Sequence, residues 1–313
     1  MAKARRTILT FSDLTGWGAD NHSLALTVFL ESFDLLPSDV RETMDVSQAR
    51  IDPRGFFETN FVPVLIEDDT PPLFTGYYEP ELEGSRVKTD AHSAPIYALP
   101  PEWDGAEQMP TRRQIETRSL LAGYEIAWLR TPLEAFLLQV QGSGRIRLEH
   151  GDTIRVGFAA KNGHPYSSLG KMLVDRGEIS ADAISIPAIR QWYAANVDRG
   201  NALLRENDSF VFFRRLDEIA VEKGPLGALG RSVTATRSIA VDPAFTPLGY
   251  PVWLEKNGPD PLFRLMVAQD IGGAIKGAQR ADIFFGTGDP AGAIAGTTKE
   301  SGRMITLIPK GAL

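Results

Sequence analysis

Two aspartates toward the C-terminal end are the side chains whose type and spacing best suit them to chemistry. The run Ala268-Gln269-Asp270-Ile271-Gly272-Gly273-Ala274-Ile275-Lys276-Gly277 is followed by Arg280-Ala281-Asp282-Ile283-Phe284-Phe285-Gly286, so two carboxylates bracket a glycine turn. On a strand, Asp282 shares a face with Phe284, a partly apolar setting that penalises the carboxylate and raises its pKa above about 3.9. A carboxylic acid tuned upward is the kind of group that protonates a leaving glycosidic oxygen. A plainer role stays open at this point, because an aspartate beside a glycine turn also serves as an Asx-turn or loop cap. A second pattern, Ser168-Leu169-Gly170-Lys171, has the S-x-x-K spacing of serine acyl-enzymes. Its usual companions are absent, since Lys88-Thr89 is followed by Asp90, and its bland alternative is a solvent-facing serine and lysine on a helix. His22, His92, His150 and His164 stand singly, without the spacing of metal ligands, so no metal site is expected. Neither G-x-S-x-G nor G-x-G-x-x-G occurs, which removes the hydrolase elbow and the dinucleotide fingerprint; no cofactor is expected.

The elements that must position these residues are of mixed type. Leu26, Phe29, Leu30 and Phe33 recur at helical spacing behind the polar Asp20, Asn21 and Ser23, which predicts a helix at about 23 to 35, ended by Pro37. From Phe61 to Tyr78 the pattern is β-rich, and Phe74-Thr75-Gly76-Tyr77-Tyr78-Glu79-Pro80 reads as a strand running into a turn. Thr111-Arg112-Arg113-Gln114 fits a capping box. Ile126, Trp128 and then Ala135 to Val140 have strand character, which would place Gln139, Gln141 and Ser143 on one face. Leu169, Met172 and Leu173 mark a helix closed by Gly177, and Ile186, Ile189 and Tyr193 mark another with Pro187 in its first turn. From Phe210 onward there are only short apolar runs without a helical period, the spacing of a compact barrel or sandwich.

The 313 residues are enough for about two domains, and 43% hydrophobic with 23% charged residues is an ordinary globular composition. With 33 Lys and Arg against 40 Asp and Glu, the net charge of −7 and the lack of a basic stripe argue against a nucleic-acid partner. The absence of cysteine removes disulfides, thiolate nucleophiles and thioether lipidation together. The apolar stretches, such as Phe61 to Ile66 with its Pro63, fall far short of the roughly 20 residues that a membrane span needs. Lys3, Arg5 and Arg6 imitate the start of a secretory signal, but Thr10, Ser12 and Asp13 leave no apolar core, so no export signal is expected within these residues.

Taken with its neighbours, the aspartate pair belongs to a larger pattern. Asp242 in Ala240-Val241-Asp242-Pro243-Ala244-Phe245-Thr246-Pro247-Leu248-Gly249, with Asp270 and Asp282, resembles the three-aspartate module of double-psi β-barrel murein-cleaving enzymes. Upstream, Phe74 to Pro80, Phe136 to Gly144 with its Gln-Val-Gln-Gly-Ser-Gly, Lys161-Asn162-Gly163-His164-Pro165-Tyr166 and Ser209 to Phe213 are similar to signatures of the membrane-bound lytic murein transglycosylase A family. The resemblance implies a mainly β protein: a double-psi β-barrel from residues 1–78 and 208–313, a second β-rich (α+β) domain inserted over 79–207, and a glycan groove between them. It implies that Asp282 is the acid, that Asp270, Asp242, Lys276 and Gly273 line or brace the site, and that Thr75, Tyr77, Gln141 and Ser143 meet the sugar. Asn162 and Tyr166 join the binding or supporting residues. Family members are typically lipoproteins attached through an N-terminal cysteine, which this chain lacks, so a place in the periplasm or on the periplasmic face of the outer membrane is implied without the anchor.

The implied reaction needs a single carboxyl group. Asp282 would protonate the β-1,4 bond oxygen between N-acetylmuramic acid and N-acetylglucosamine, then take the proton of the muramic acid's own C6 hydroxyl, closing a 1,6-anhydro ring without water. An internal nucleophile makes ring closure unimolecular, so proximity replaces a second carboxylate. Peptidoglycan glycan strands are the partner this implies, acted on by a monomer. Three other functions remain open: a murein hydrolase using Asp270 with Asp282 as a pair, a non-catalytic peptidoglycan-binding protein, and an acyl-enzyme built on Ser168 and Lys171.

Overall fold

The computed structural model describes residues 4–47, 49–106, 108–149 and 151–312; Lys3 and His150 lie outside the described residues. The β-branched and aromatic runs form strands, named in chain order β1 (Arg5–Ile8), β2 (Phe61–Glu67), β3 (Leu73–Glu79), β4 (Glu81–Ser85), β5 (Ala94–Tyr97), β6 (Glu125–Leu129), β7 (Ser143–Leu148), β8 (Thr153–Lys161), β9 (Val211–Arg215), β10 (Ser238–Val241), β11 (Pro251–Lys256), β12 (Leu262–Ile271), β13 (Arg280–Thr287), β14 (Lys299–Glu300) and β15 (Gly302–Pro309). They build a nine-stranded sheet in the order β1-β2-β15-β11-β12-β10-β13-β3-β14 and a six-stranded sheet in the order β5-β6-β4-β7-β8-β9. The chain divides into one unit of Met1–Tyr78, Glu222–Gly286 and Ala291–Leu313, and a second of Glu79–Val221 and Thr287–Pro290. Where the sequence points to an insertion over 79–207, the second unit continues to Val221, because β9 pairs antiparallel with β8.

In the first unit both faces of the central strands are buried. Val252, Leu254, Met266, Ala268 and Met304 join one core with Phe74, Ile239, Val241, Ala281 and Ile283. The intervening Trp253, Leu265, Val267 and Ile305 join another, with Leu26, Phe29, Phe56, Phe57 and Phe61. This period-two division between two cores is why the strands read as unbroken apolar runs rather than an apolar and polar alternation. The second core is closed by the helices His22–Glu31 and Pro53–Asn60, the latter entered through an Asp52 cap on Gly55 N–H with Pro53 at its first turn. Phe29, Phe56, Phe57 and Phe61 pack edgewise or tilted, with ring centroids 5.4–6.2 Å apart. Each such burial is worth about 1.5–3 kcal/mol, enough for this cluster to hold the helices on the sheet. The expected helix at 23 to 35 runs only from His22 to Glu31, with a separate 3-10 turn at Phe33–Leu35.

In the second unit the segment 135–140, expected as a strand, is instead part of a helix, Pro132–Gln141. Thr131 caps it by accepting from Glu134 N–H, and Pro132 occupies its first turn. Ala135 and Leu138 pack on the sheet beneath, while Leu133 and Phe136 face the helices Leu169–Asp175, Ile186–Ala195 and Val197–Leu204. Gln139, buried among them, accepts from Arg112 Nη2 at 2.5 Å. The Thr111 capping box forms as expected and opens the helix Arg112–Arg118. Glu79, fully buried at the end of β3, accepts from Arg145 Nε at 2.9 Å, Arg155 Nε at 2.7 Å and Thr287 Oγ1 at 2.9 Å. A buried carboxylate persists there only because charge-assisted bonds occupy both its oxygens.

Candidate active site

The nine-stranded sheet gathers the aspartates around Ala240. In register, Ala240 of β10 stands opposite Asp270 of the parallel β12 and opposite Asp282 of the antiparallel β13. Residues directly opposite share a face, so both carboxylates leave the same side of the sheet, with Cα positions about 10 Å apart across two strand spacings. Neighbouring β3 supplies Thr75 and Tyr77, which alternate onto that side two residues apart.

The two carboxyl groups differ in their partners. Asp282 accepts one hydrogen bond, at Oδ1, from Thr75 Oγ1 at 2.5 Å; among the described residues Oδ2 has no hydrogen-bond partner. Burial pushes the Asp282 carboxyl above its ordinary range, against the opposing pull of the Thr75 hydrogen bond and the Arg280 charge. Asp270 is occupied on both oxygens: Oδ1 accepts from Ala228 N–H and Ile271 N–H, each at 2.9 Å, and Oδ2 from Tyr77 OH at 3.0 Å. Burial raises its pKa as well, and those three bonds oppose the rise. The Tyr77 phenol is pushed well up, by burial first and then by Asp270 and Asp282, so it stays protonated and serves as a donor. Its ring lies 5.2 Å from that of Phe284.

Asp242 fastens the glycine turn. Its Oδ2 accepts from Gly277 N–H at 3.0 Å, its Oδ1 from Ala244 N–H at 3.2 Å, and the exposed Lys276 Nζ approaches to 3.9 Å. Gly277 has φ +118, where a side chain would be strained, whereas a Cβ at the exposed Gly273 would meet nothing within 4 Å. Thr75 and Tyr77, implied as sugar contacts, donate their hydroxyl protons to the aspartates, because desolvated carboxylates need donors.

Four expected residues belong to the second unit. Gln141 ends the helix Pro132–Gln141, and Ser143 begins β7 two residues later, so the anticipated shared strand face for Gln139, Gln141 and Ser143 is replaced by a helix end and a strand start. Asn162 is fully buried and spends its side chain on backbone, donating to Pro110 O and Asp208 O and accepting from Phe210 N–H. It is a brace. Tyr166 is exposed. The S-x-x-K pair does not make a nucleophile and base: Ser168 Oγ caps its helix by accepting Lys171 N–H, and Lys171 Nζ pairs with Asp175 at 2.6 Å. Among the described residues no group of three metal-ligating side chains converges.

Arg280 was not among the expected site residues. Its Nη2 donates to Thr75 Oγ1 at 2.9 Å, and its Nη1 donates to Leu73 O at 3.2 Å and Ala281 O at 2.5 Å. Its position two before Asp282 on one strand was the available signal, since residues i and i+2 share a face. The Ala228 N–H on Asp270 had none, being a backbone group far off in sequence.

Comparison with known proteins matches both parts of the chain. Residues 73–214 match the MltA specific insert domain and residues 237–308 match the 3D domain. Membrane-bound lytic murein transglycosylase A of Escherichia coli K12 is 36% identical over 241 residues, 75% of this chain and 65% of that protein's length, so the chain spans just under two thirds of this relative. The crystal structure of a membrane-bound lytic murein transglycosylase from Agrobacterium tumefaciens superimposes with a TM-score of 0.84 and 31% identity, covering 97% of this chain and 98% of that one. The E. coli MltA structure with bound chitohexaose superimposes with a TM-score of 0.77 and 28% identity, covering 95% and 90%. The fold is thus mainly β, a double-psi β-barrel with an inserted α+β domain. With nearly full-length likeness at this identity, and matches to both the insert domain and the 3D domain, the chain belongs to the membrane-bound lytic murein transglycosylase A family.

Proposed function

We propose that the chain is a lytic transglycosylase that cleaves the β-1,4 bond between N-acetylmuramic acid and N-acetylglucosamine and leaves 1,6-anhydromuramic ends. The observation that carries this reading is the asymmetry of the two aspartates: burial raises the pKa of both, but among the described residues Asp282 keeps one oxygen without a donor, while Asp270 has donors on both. Asp282 protonates the bridging oxygen, then as carboxylate removes the proton of the C6 hydroxyl, which attacks C1 and closes the ring. One carboxyl group returns to its starting protonation state across the two transfers, so no second carboxylate is required. A hydrolase pair would need Asp270 to orient a water or attack carbon, and its oxygens are already committed to three donors.

The substrate is the glycan strand of peptidoglycan, consistent with chitohexaose bound in the E. coli relative. Thr75 and Tyr77 support the aspartates, Asp242 with Lys276 braces the turn that contains Gly273, and Gln141, Ser143 and Tyr166 serve sugar binding. The protein acts at the periplasmic face of the outer membrane, in keeping with the membrane-bound relatives; among the described residues no helix is long and apolar enough to cross a membrane. Digesting sacculi in heavy-oxygen water tests the reading. Every new muramic terminus is expected to be an unlabelled anhydro sugar. Labelled reducing ends would leave a hydrolase, and intact sacculi a binding protein.

A further inference from the structure

We propose that Arg280 is a positioning residue which, by fixing the direction of the Thr75 hydroxyl, assigns the transferable proton of Asp282 to Oδ2. This rests on the reading of Asp282 as the acid. A guanidinium has donors only, so at 2.9 Å Thr75 Oγ1 must accept from Arg280 Nη2. A hydroxyl has one proton, and among the described residues Asp282 Oδ1 is the one acceptor within reach of it, at 2.5 Å. The bond therefore runs from Thr75 to Asp282, and Oδ1 is an acceptor whether the carboxyl group is charged or neutral. A proton on Oδ1 would face the threonine's own proton across that short gap. In the acid form it resides on Oδ2, the oxygen without a partner.

This arrangement serves both halves of the cycle. Oδ2 presents the proton with no competing acceptor, so donation breaks no protein hydrogen bond. Once the proton has left, Oδ1 keeps a donor that Arg280 polarises, and this steadies the carboxylate until it recovers a proton from the C6 hydroxyl. Arg280 is itself held by the carbonyls of Leu73 and Ala281, on the two strands that carry Thr75 and Asp282.

Neutron diffraction from the perdeuterated wild-type chain, below the pH at which Asp282 titrates, tests the assignment without relying on turnover or on any variant folding. Deuterium is expected on Thr75 Oγ1, directed at Oδ1, and on Asp282 Oδ2; deuterium on Oδ1 would overturn the proposal. The part played by Arg280 is read from the carboxyl titration of Asp282, followed by carbon NMR in Arg280→Met, Thr75→Val, the double variant and Thr75→Ser. Arg280→Met and Thr75→Val are each expected to raise the titration. Thr75→Ser restores the wild-type value, and Arg280→Met adds less in the Thr75→Val background than alone. An equal increment in both backgrounds would show Arg280 acting through its charge alone and defeat the positioning role. On sacculi, the alkaline limb of the rate profile should move with the titration and kcat should fall more than KM rises. A wild-type chain that titrates as expected yet cleaves nothing would instead defeat the transglycosylase reading.

Discussion

Asp282 and Asp270 have the same side chain and nearly the same burial, yet different chemistry, because a carboxyl group is defined by how many donors reach it. The raised pKa of Asp282 also has a stability consequence. A carboxyl group whose folded pKa lies above its unfolded value binds its proton more tightly when folded, so its contribution is fully present below about 3.8 and is lost as pH rises through the folded pKa. At neutral pH the wild type bears this cost and an amide does not. Asp282→Asn is therefore expected to lose about a hundredfold to ten-thousandfold in cleavage while unfolding at a higher temperature than wild type at pH 7, an advantage that shrinks toward pH 3. Thermal scans at both pH values with a sacculus assay check this, and a lower midpoint at pH 7 would contradict the buried, destabilised acid.

At the scale of elements, β3 must approach β13 and the helix Gly288–Thr297 closely for Thr75 and Tyr77 to reach the aspartates, and Gly76 between them permits it. A Cβ there would lie 2.6 Å from Phe285 Cε2 and 2.8 Å from Ala295 Cα, and the latter is backbone that cannot step aside. Gly76→Ala should cost about 1–3 kcal/mol by overpacking and reduce cleavage with it. Denaturation midpoints would show this, and an unchanged midpoint would mean that the strand has room to spare. The legibility of elements followed how many faces they bury. The helix His22–Glu31 and the Thr111 cap were readable because one stripe or one capping box announces them. The helix Pro132–Gln141 was mistaken for a strand because Ala135 and Leu138 face the sheet while Leu133 and Phe136 face other helices, which blurs the 3.6-residue period. Thr131-Pro132 was the legible start signal. The helix Gly288–Thr297 went unseen because Ala291 and Ala295 bury small side chains four apart without an apolar stripe.

For the molecule as a whole, pH acts on stability from two sides. His22 is buried beside Trp17, with ring centroids 4.4 Å apart, and among the described residues its Nε2 has no hydrogen-bond partner. Burial first, with the nearby Arg54 charge, lowers its pKa below 6.5 despite the opposing pull of Asp20 and Glu58. A folded-state pKa below the unfolded value means that the unfolded chain binds more protons, so this contribution is intact above about 6.5 and is lost as pH falls toward the folded pKa. The aspartates have the opposite slope, since their contribution is lost as pH rises above about 3.8. His22→Phe keeps the ring and removes the titration. It should narrow the gap in unfolding temperature between pH 7.5 and pH 5.5, and a gap as wide as that of the wild type would place the acid sensitivity elsewhere.

The types of the two aspartates, the glycine turn between them and the order of motifs along the chain are local properties, and the sequence by itself determined them along with the family they resemble. Which aspartate keeps an open oxygen was decided only in three dimensions. Tyr77, Thr75 and Ala228 lie 193, 207 and 42 residues from the carboxylates they reach, so their donors arrive through strand order and register rather than through neighbouring sequence. Proton affinity depends on burial and on the direction of each hydrogen bond, and neither quantity exists until the sheet has closed around the site.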